Sequence, residues 1–230
     1  MAARSYGQYC GVTTAVELIG ERWALLIVRD LLVGPRRYTD LKQGLPRIPT
    51  NILSTRLKEL QDGGVVRRIP LLRGLAYELT PYGQALEPVI LALGRWGFQT
   101  MGDPEEGDIV TADSLTMALR TAFRSDAADD VEYELHVGEV ALHASVRGGE
   151  LAVIQISPPA PPVGGREPVR EEPDAVIVAG PGIRRLIGGE ITPAEAIAQD
   201  VVAVVRGDAA HLESFARTFH IAPLGTPLSV

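Results

Sequence analysis

The feature that most constrains this fold is a pair of short helical segments with two strand-forming segments directly behind them, between residues 39 and 79. Thr39 suits the N-cap of a brief helix over Asp40–Gln43, which Gly44 ends. Pro49 suits the first position of a longer helix that ends before Gly63. Two short helices joined by a tight turn form a helix-turn-helix.

The segment behind the second helix predicts a β-hairpin. Val65–Ile69 and Ala76–Leu79 are rich in strand-forming residues, and a loop is expected between them at Leu71–Gly74. A β-hairpin that directly follows the second helix of a helix-turn-helix is called a wing. The first half of the chain is therefore predicted to be a winged helix-turn-helix. Flanking helices are predicted over Thr13–Ile19, over Glu21–Leu32, and from the Thr80 cap to about Trp96.

The net charge of −7 is the sum of two unlike halves. Residues 1–102 carry 13 basic and 8 acidic side chains, whereas residues 103–230 carry 9 basic and 21 acidic ones. The polar, helix-breaking run 102–108 lies where the balance reverses, which predicts a basic domain over 1–102 and an acidic domain over 110–230. Such asymmetry indicates a polyanion site in the first domain, with an ordinary solvated basic face as the alternative.

The longer helix has one apolar side and one short polar side. At 100° per residue, Leu57 and Leu60 each fall within about 40° of Leu53, and the three leucines form the expected buried stripe. The opposite side carries Asn51, Thr55 and Lys58, with Ser54 beside them. A polar side nearly free of acids suits a helix whose N-terminal part enters the DNA major groove, so the predicted contact set also includes Thr50.

Each outward side chain has a chemistry that fits DNA. Asn51 can pair with an adenine edge, and Ser54 and Thr55 can reach bases or phosphates. Lys58 can neutralise a phosphate. Arg56 lies at the margin of the leucine stripe, where structural anchoring or a phosphate contact is favoured over base reading. A solvated helix face is the alternative for every one of these residues.

Further arginines flank this helix. Arg67, Arg68 and Arg73 cluster around the predicted wing, where they can press on the phosphate backbone or enter a minor groove. Arg67 and Arg68 are neighbours in a strand and point to opposite faces, so one of them is expected to be structural. Additional phosphate contacts are predicted before the helix-turn-helix and in its turn, at Arg36, Arg37 and Arg47.

Several motifs, in their order along the chain, resemble those of the HxlR-type winged-helix regulators over roughly residues 9–97. They are Cys10, LIGERW at 18–23, LIVRDL at 26–31, GPRRYTDL at 34–41, LSTRL at 53–57 and LTPYG at 79–83. The resemblance implies a cytoplasmic homodimer that pairs through the N-terminal and last helices of this domain and binds palindromic double-stranded operators. Cys10 matches a cysteine that some members use as a redox sensor, with a quiet thiol as the alternative.

The acidic half predicts an α+β domain. Helices are expected over 113–123, 183–187, 192–198 and 211–219, and strands over 133–137, 140–146, 151–156, 175–178 and 201–205. The motifs LIGGEITPAEA at 186–196 and VRGD at 205–208 resemble those of sterol carrier protein domains. That resemblance implies a five-stranded sheet and a tunnel for an apolar effector, lined by Leu115, Leu119, Phe123, Phe215 and Phe219. The alternative is that these residues simply fill a core.

No catalytic or metal-ligand spacing is found, so neither an enzyme nor a cofactor is expected. A single cysteine, no signal peptide and no long apolar run predict a cytoplasmic protein without a membrane partner. The leading interpretation is a DNA-binding regulator controlled by an apolar effector. The alternative is a lipid-binding or interaction protein in which the winged helix serves mainly for dimerisation.

Overall fold

The structure is a computed structural model that describes residues 5–71, 74–158 and 170–224. Its chain divides into two compact units, residues 1–90 and 91–230. The boundary between the two units lies earlier in the chain than the one predicted at 102–110. The reason is that the end of the last helix predicted for the first domain packs within the second unit. Arg95 Nε, for example, donates a hydrogen bond to the carbonyl oxygen of Thr121 at 3.1 Å.

The first unit combines helices with a short hairpin. Its elements are α1 (Gly11–Ile19), α2 (Ala24–Val33), α3 (Tyr38–Gly44), α4 (Thr50–Asp62), β1 (Val66–Pro70), β2 (Leu75–Leu79), α5 (Pro81–Gln84) and α6 (Glu87–Phe98), the last of which runs on into the second unit. β1 and β2 pair antiparallel, with Arg67 opposite Glu78 and Arg68 opposite Tyr77. The predicted helix-turn-helix and hairpin are therefore confirmed.

The predicted leucine stripe of the longer helix is confirmed. Leu53, Leu57 and Leu60 of α4 are almost fully buried, and α4 contacts α1, α2 and β1. Burying a leucine side chain is worth about 1.5–3 kcal/mol, so this side fixes which residues of α4 point outward.

Two predicted helix starts are wrong by one or two residues. Arg37, not Thr39, is the N-cap of α3, and its backbone N–H donates to the Asp40 carboxylate at 2.7 Å. Pro49 is the N-cap of α4 rather than its first residue. A carboxylate at the third helical position satisfies the cap amide, and this contact outweighs the intrinsic preference of threonine for the cap.

The predicted last helix is interrupted. α5 ends at Gln84 and α6 begins at Glu87. Pro88 has no N–H to donate to the carbonyl of Gln84, and its ring would clash there, which accounts for the break between the two helices. The predicted cap is confirmed, since the Thr80 hydroxyl accepts from the Gly83 backbone N–H.

The second unit is a mixed sheet with helices. Its elements are α7 (Ala112–Ala122), β3 (Val131–Val137), β4 (Val140–Arg147), β5 (Glu150–Ser157), β6 (Ala175–Ala179), α8 (Ile183–Ile187), α9 (Pro193–Ala198), β7 (Val202–Arg206) and α10 (Ala209–Thr218). Within the described residues the five strands run in the order β5-β4-β3-β6-β7. The pairs are antiparallel except β3–β6, which is parallel.

One face of this sheet forms the core. Alternate residues of the strands, such as Tyr133, Leu142 and Ile177, are buried together with Leu119 of α7 and Phe215 of α10. Most of the predicted strands and helices of this half are found within a few residues of their expected ends. Ala118 of α7 is exposed.

Candidate nucleic-acid interface

The N-terminal part of α4 is open and free of acids. Pro49 supplies no side-chain hydrogen bond to the cap, and no acidic residue lies in the first turn. The backbone N–H groups of that turn point along the helix axis and carry its partial positive charge, which favours an anion.

The predicted outward residues of α4 share one side of the helix. Thr50, Asn51, Ser54 and Lys58 are exposed, and Thr55 is half-buried. The Lys58 ammonium makes no hydrogen bond or ion pair among residues 5–71, 74–158 and 170–224. The side therefore offers one uncompensated cation beside an amide and hydroxyl groups.

Two hydroxyl groups of this side bond back to their own helix. Ser54 Oγ donates to the Thr50 carbonyl at 3.1 Å, and Thr55 Oγ1 donates to the Asn51 carbonyl at 2.9 Å. Their protons are thus used inside the helix, which leaves oxygen lone pairs facing outward.

Sequence reasoning missed one residue of this surface, Tyr38. The Tyr38 hydroxyl, on the first residue of α3, donates to the Thr50 carbonyl at 2.9 Å and lies 3.2 Å from Ser54 Oγ. The contact joins residues 12 and 16 positions apart, so no local pattern indicates it. From the sequence alone, an aromatic residue at the start of a helix is expected only to pack against its neighbours.

Two predicted phosphate contacts are corrected by burial and pairing. Arg36 is only 3% exposed, and its guanidinium donates to the Pro35 carbonyl, so it belongs to the core of the unit. Arg56 pairs with Glu59 of its own helix and with Glu21 at 3.5 Å. The anchoring role that its place on the helix suggested therefore fits Arg56 better than a DNA contact.

Arg37 and Arg47 differ from Arg36 in their exposure. Both side chains are exposed, at the start of α3 and in the turn before α4. The neighbouring Lys42 is half-buried, and its ammonium donates to the Pro46 carbonyl at 2.9 Å. Lys42 therefore holds the turn in place.

The two described arginines of the wing differ in pairing. Arg67 donates to the Glu78 carboxylate from Nε at 2.6 Å, so its charge is compensated. Arg68 is exposed, and its guanidinium carbon lies 5.4 Å from the ring centre of Tyr77. The two arginines therefore have different partners in the structure. Arg73 lies outside the described residues.

Cys10 is exposed and is the N-cap of α1. The backbone N–H groups of Thr13 and Val12 at the start of α1, and the Thr13 side chain, favour the thiolate and so lower the pKa of the Cys10 thiol. A thiol with a lowered pKa is a better nucleophile near neutral pH, because more of it is thiolate.

Because its pKa is lowered, we expect Cys10 to be half-ionised at a lower pH than the cysteine of a free peptide. Iodoacetamide alkylation rates of the full chain, measured from pH 6 to 10, give this midpoint directly. Thr13→Val removes the hydroxyl, which donates to Gln8 Oε1 at 3.2 Å, but leaves both backbone N–H groups, so it should raise the midpoint only in part. A midpoint at or above that of a free cysteine peptide contradicts the assignment.

The residues predicted to line a tunnel lie in or against the core of the second unit. Leu115, Leu119, Phe215 and Phe219 are buried, and Phe123 packs against them. The ring centres of Phe215 and Phe219 are 4.8 Å apart, and those of Phe123 and Phe219 are 6.1 Å apart. In this arrangement they contact one another as core residues do.

The other face of the same sheet holds a buried polar group around Glu132. Its carboxylate accepts from Ser145 Oγ at 2.7 Å and Arg147 Nε at 2.8 Å, and it contacts His143 Nε2 at 2.8 Å. Burial alone would raise the pKa of Glu132, but the three partners together lower it. The carboxylate is therefore held in its charged form.

Two further findings concern the described residues alone. No three histidine, cysteine or acidic side chains there are grouped so that they could hold a metal ion. In the same part of the chain, no helix combines the length and apolar character needed to cross a membrane.

The fold and the surface of α4 together define a winged helix-turn-helix protein. A sequence profile described as "HxlR-like helix-turn-helix" matches residues 18–105. Among curated proteins, the HTH-type transcriptional regulator YvaP of Bacillus subtilis is 38% identical over 85 residues, which is 36% of this chain and 79% of YvaP. YdeP of the same organism is 33% identical over 91 residues, which is 38% of this chain and 71% of YdeP.

The chain belongs to the HxlR-like helix-turn-helix family, a family of transcriptional regulators rather than enzymes. A solved structure of the HTH-type regulator YtcD aligns with 38% of this chain and 93% of its own, at 34% identity and a TM-score of 0.37. Residues 106–230 lie outside the region that the family profile matches.

Proposed function

We propose that this chain is a sequence-specific DNA-binding regulator that acts as a homodimer and inserts the N-terminal part of α4 into the major groove. The observation that carries the proposal is the acid-free, uncapped start of α4, with Asn51, Ser54 and Lys58 exposed on one side. Membership in a family of helix-turn-helix regulators supports it.

Each group on this side has a matching partner on DNA. The Asn51 amide can donate to N7 and accept from N6 of adenine at the same time, and Lys58 can neutralise a phosphate. The first-turn amides of α4 suit a second phosphate. Exposed Arg37, Arg47 and Arg68 extend the cationic surface on either side, whereas Arg36 and Arg56 are assigned to structure.

Dimerisation is supported by apolar side chains left exposed on two helices. Tyr9, Val12 and Val16 are exposed on and before α1, with spacings of three and four residues. Val89, Leu93 and Trp96 of α6 repeat the same pattern. Val12 and Val16 share one side of α1, as the three residues of α6 share one side of that helix, and apolar stripes of this kind commonly mark protein–protein contacts.

The second unit is assigned an effector-binding role, supported by its resemblance to sterol carrier protein domains and by its continuous apolar core. An apolar effector would have to separate side chains that contact one another here, such as Phe215 and Phe219. Native mass spectrometry of the full chain should then show a dimer with a retained apolar molecule. A dimer free of adducts, and unchanged in melting temperature by sterols or fatty acids, contradicts this role.

The DNA-binding role is tested by comparing Lys58→Ala with Asn51→Ala. Duplexes enriched from a random library by the full chain, and scrambled duplexes of equal length, serve as probes. Lys58→Ala should weaken binding to both and flatten the log–log salt dependence by about one unit. Asn51→Ala should weaken only the enriched duplexes, by roughly 5- to 150-fold, because a bidentate base contact is worth about 1–3 kcal/mol.

Arg206→Ala is the matched control for Lys58→Ala. It removes one exposed cation from β7 of the second unit, where Arg206 pairs with Glu172 at 2.6 Å. We expect it to leave the salt dependence unchanged. If the double variant Asn51→Ala/Lys58→Ala binds enriched duplexes as tightly as the unchanged chain, the proposed interface is wrong.

A further inference from the structure

Three oxygen atoms meet at the junction of α3 and α4, on the surface proposed to contact DNA. They belong to the Tyr38 hydroxyl, the Ser54 hydroxyl and the Thr50 carbonyl, and the three distances between them are 2.9, 3.1 and 3.2 Å. All three are within hydrogen-bond range. Tyr38 is half-buried and Ser54 is exposed, so the group lies at the edge of the surface rather than in the core.

Counting protons shows what this group can offer outward. The two hydroxyls carry one proton each, and the Thr50 carbonyl only accepts. When Ser54 Oγ donates to the Thr50 carbonyl and the Tyr38 hydroxyl donates within the group, both protons lie inside the triangle. In this arrangement Ser54 Oγ presents lone pairs to a ligand.

A hydroxyl oxygen that accepts hydrogen bonds but donates none can bind only those groups of DNA that carry a donor. Phosphate oxygens, guanine O6 and N7, and thymine O4 are themselves acceptors. In the major groove only the amino groups at N6 of adenine and N4 of cytosine can donate to such an oxygen. The chemistry of Ser54 thus points to one of these two bases.

We propose that Tyr38 is a positioning residue of the DNA interface, whose hydroxyl holds Ser54 turned so that it accepts a hydrogen bond from an adenine or cytosine amino group. The inference rests on the proposed function. Tyr38 touches no base itself and acts through Ser54.

The test is a double-mutant cycle on the full chain with Tyr38→Phe and Ser54→Ala. The readout is the ratio of affinities for enriched and scrambled duplexes. Each single variant should lower this ratio two- to tenfold, the range expected from one hydrogen bond. The double variant should equal Ser54→Ala alone, because Tyr38 acts through Ser54.

Tyr82→Phe is the matched control. Tyr82 is an exposed tyrosine of α5 whose hydroxyl makes no hydrogen bond among the described residues. It should leave the ratio unchanged. A purely structural Tyr38 would instead lower the melting temperature and weaken both duplexes alike, with effects that add to those of Ser54→Ala.

Base analogues test the amino group directly. Enriched duplexes are made with purine in place of adenine, or 2-pyrimidinone in place of cytosine, at one position at a time. At one position the analogue should weaken binding by the unchanged chain but not by Ser54→Ala. An equal loss for both proteins at every position overturns the inference.

The outcomes separate the two proposals. If no duplex is enriched, or if Lys58→Ala leaves binding and salt dependence unchanged, the proposed function fails. If enrichment and the Lys58 effect are found but Tyr38→Phe keeps the full affinity ratio, or its effect adds to that of Ser54→Ala, only the role of Tyr38 is overturned.

Discussion

The double variant Leu93→Glu/Trp96→Glu is expected to be monomeric and to bind enriched duplexes at least about 100-fold more weakly. Both side chains are exposed on the apolar side of α6, and Trp96 keeps 69% of its surface open. Two carboxylates on each copy of this side would face like charges across the proposed contact, at a cost of several kcal/mol. A monomer then presents one recognition helix instead of two linked ones, and the loss of such linkage typically costs 10²- to 10⁴-fold.

Light scattering after size exclusion tests the first part, since one chain has a mass of 24.7 kDa and a dimer twice that. Ala118→Glu/Ala198→Glu is the matched control, because it adds the same charge at exposed positions of α7 and α9. The control should remain dimeric and bind normally. A Leu93→Glu/Trp96→Glu variant that stays dimeric, or a monomer that binds as tightly as the unchanged chain, contradicts the dimer assignment.

Glu132→Gln is expected to lower the free energy of unfolding by about 2–4 kcal/mol. The substitution keeps the shape of the side chain but removes the charge that Ser145, Arg147 and His143 surround. An amide has one acceptor oxygen where the carboxylate has two, and it carries no charge, so the charge-assisted hydrogen bonds to the buried carboxylate are lost. Urea unfolding of both chains at pH 7 gives the difference.

Glu134→Gln is the matched control on the same strand. Glu134 also contacts one histidine, His136, at 2.7 Å, but both side chains are about a quarter to a third exposed. Water screens such a pair, so the control should cost less than about 1 kcal/mol. Equal losses for the two variants would show that burial of Glu132 has no special effect.

The effect of Glu132 should also depend on pH in a defined direction. Because the folded pKa of Glu132 is lowered, its stabilisation is fully present above the unfolded value, near 4.3, and is lost as the pH falls through the folded pKa. The difference between the unchanged chain and Glu132→Gln should therefore shrink between about pH 5 and pH 3. A difference that grows over this range contradicts the lowered pKa.

The parts of the fold that followed from the sequence depend on local periodicity. The leucine stripe of α4 repeats at helical spacing, and the strands β3, β4 and β5 alternate with a period of two. The predicted helix boundaries were wrong where two local interactions compete. Asp40 supplies the capping contact for Arg37, and Pro88 interrupts what its neighbours would otherwise continue.

In the candidate site, too, some features follow from local spacing and others depend on tertiary contacts. The outward position of Asn51, Ser54 and Lys58 follows from the burial of the leucines on the other side of the same helix. The roles of Arg36, Arg56 and Tyr38 do not follow from it. They depend on what each side chain meets from elsewhere in the chain.

The sequence by itself determined which elements form, which side of α4 faces outward and where positive charge collects, because these depend on composition and on spacing within a few residues. Only the tertiary structure decided which arginines are compensated, that Tyr38 joins α3 to α4, and that Glu132 is surrounded by donors. The physical reason is that a charge or hydroxyl takes its function from its partners. Those partners are brought together by packing between elements far apart in the chain.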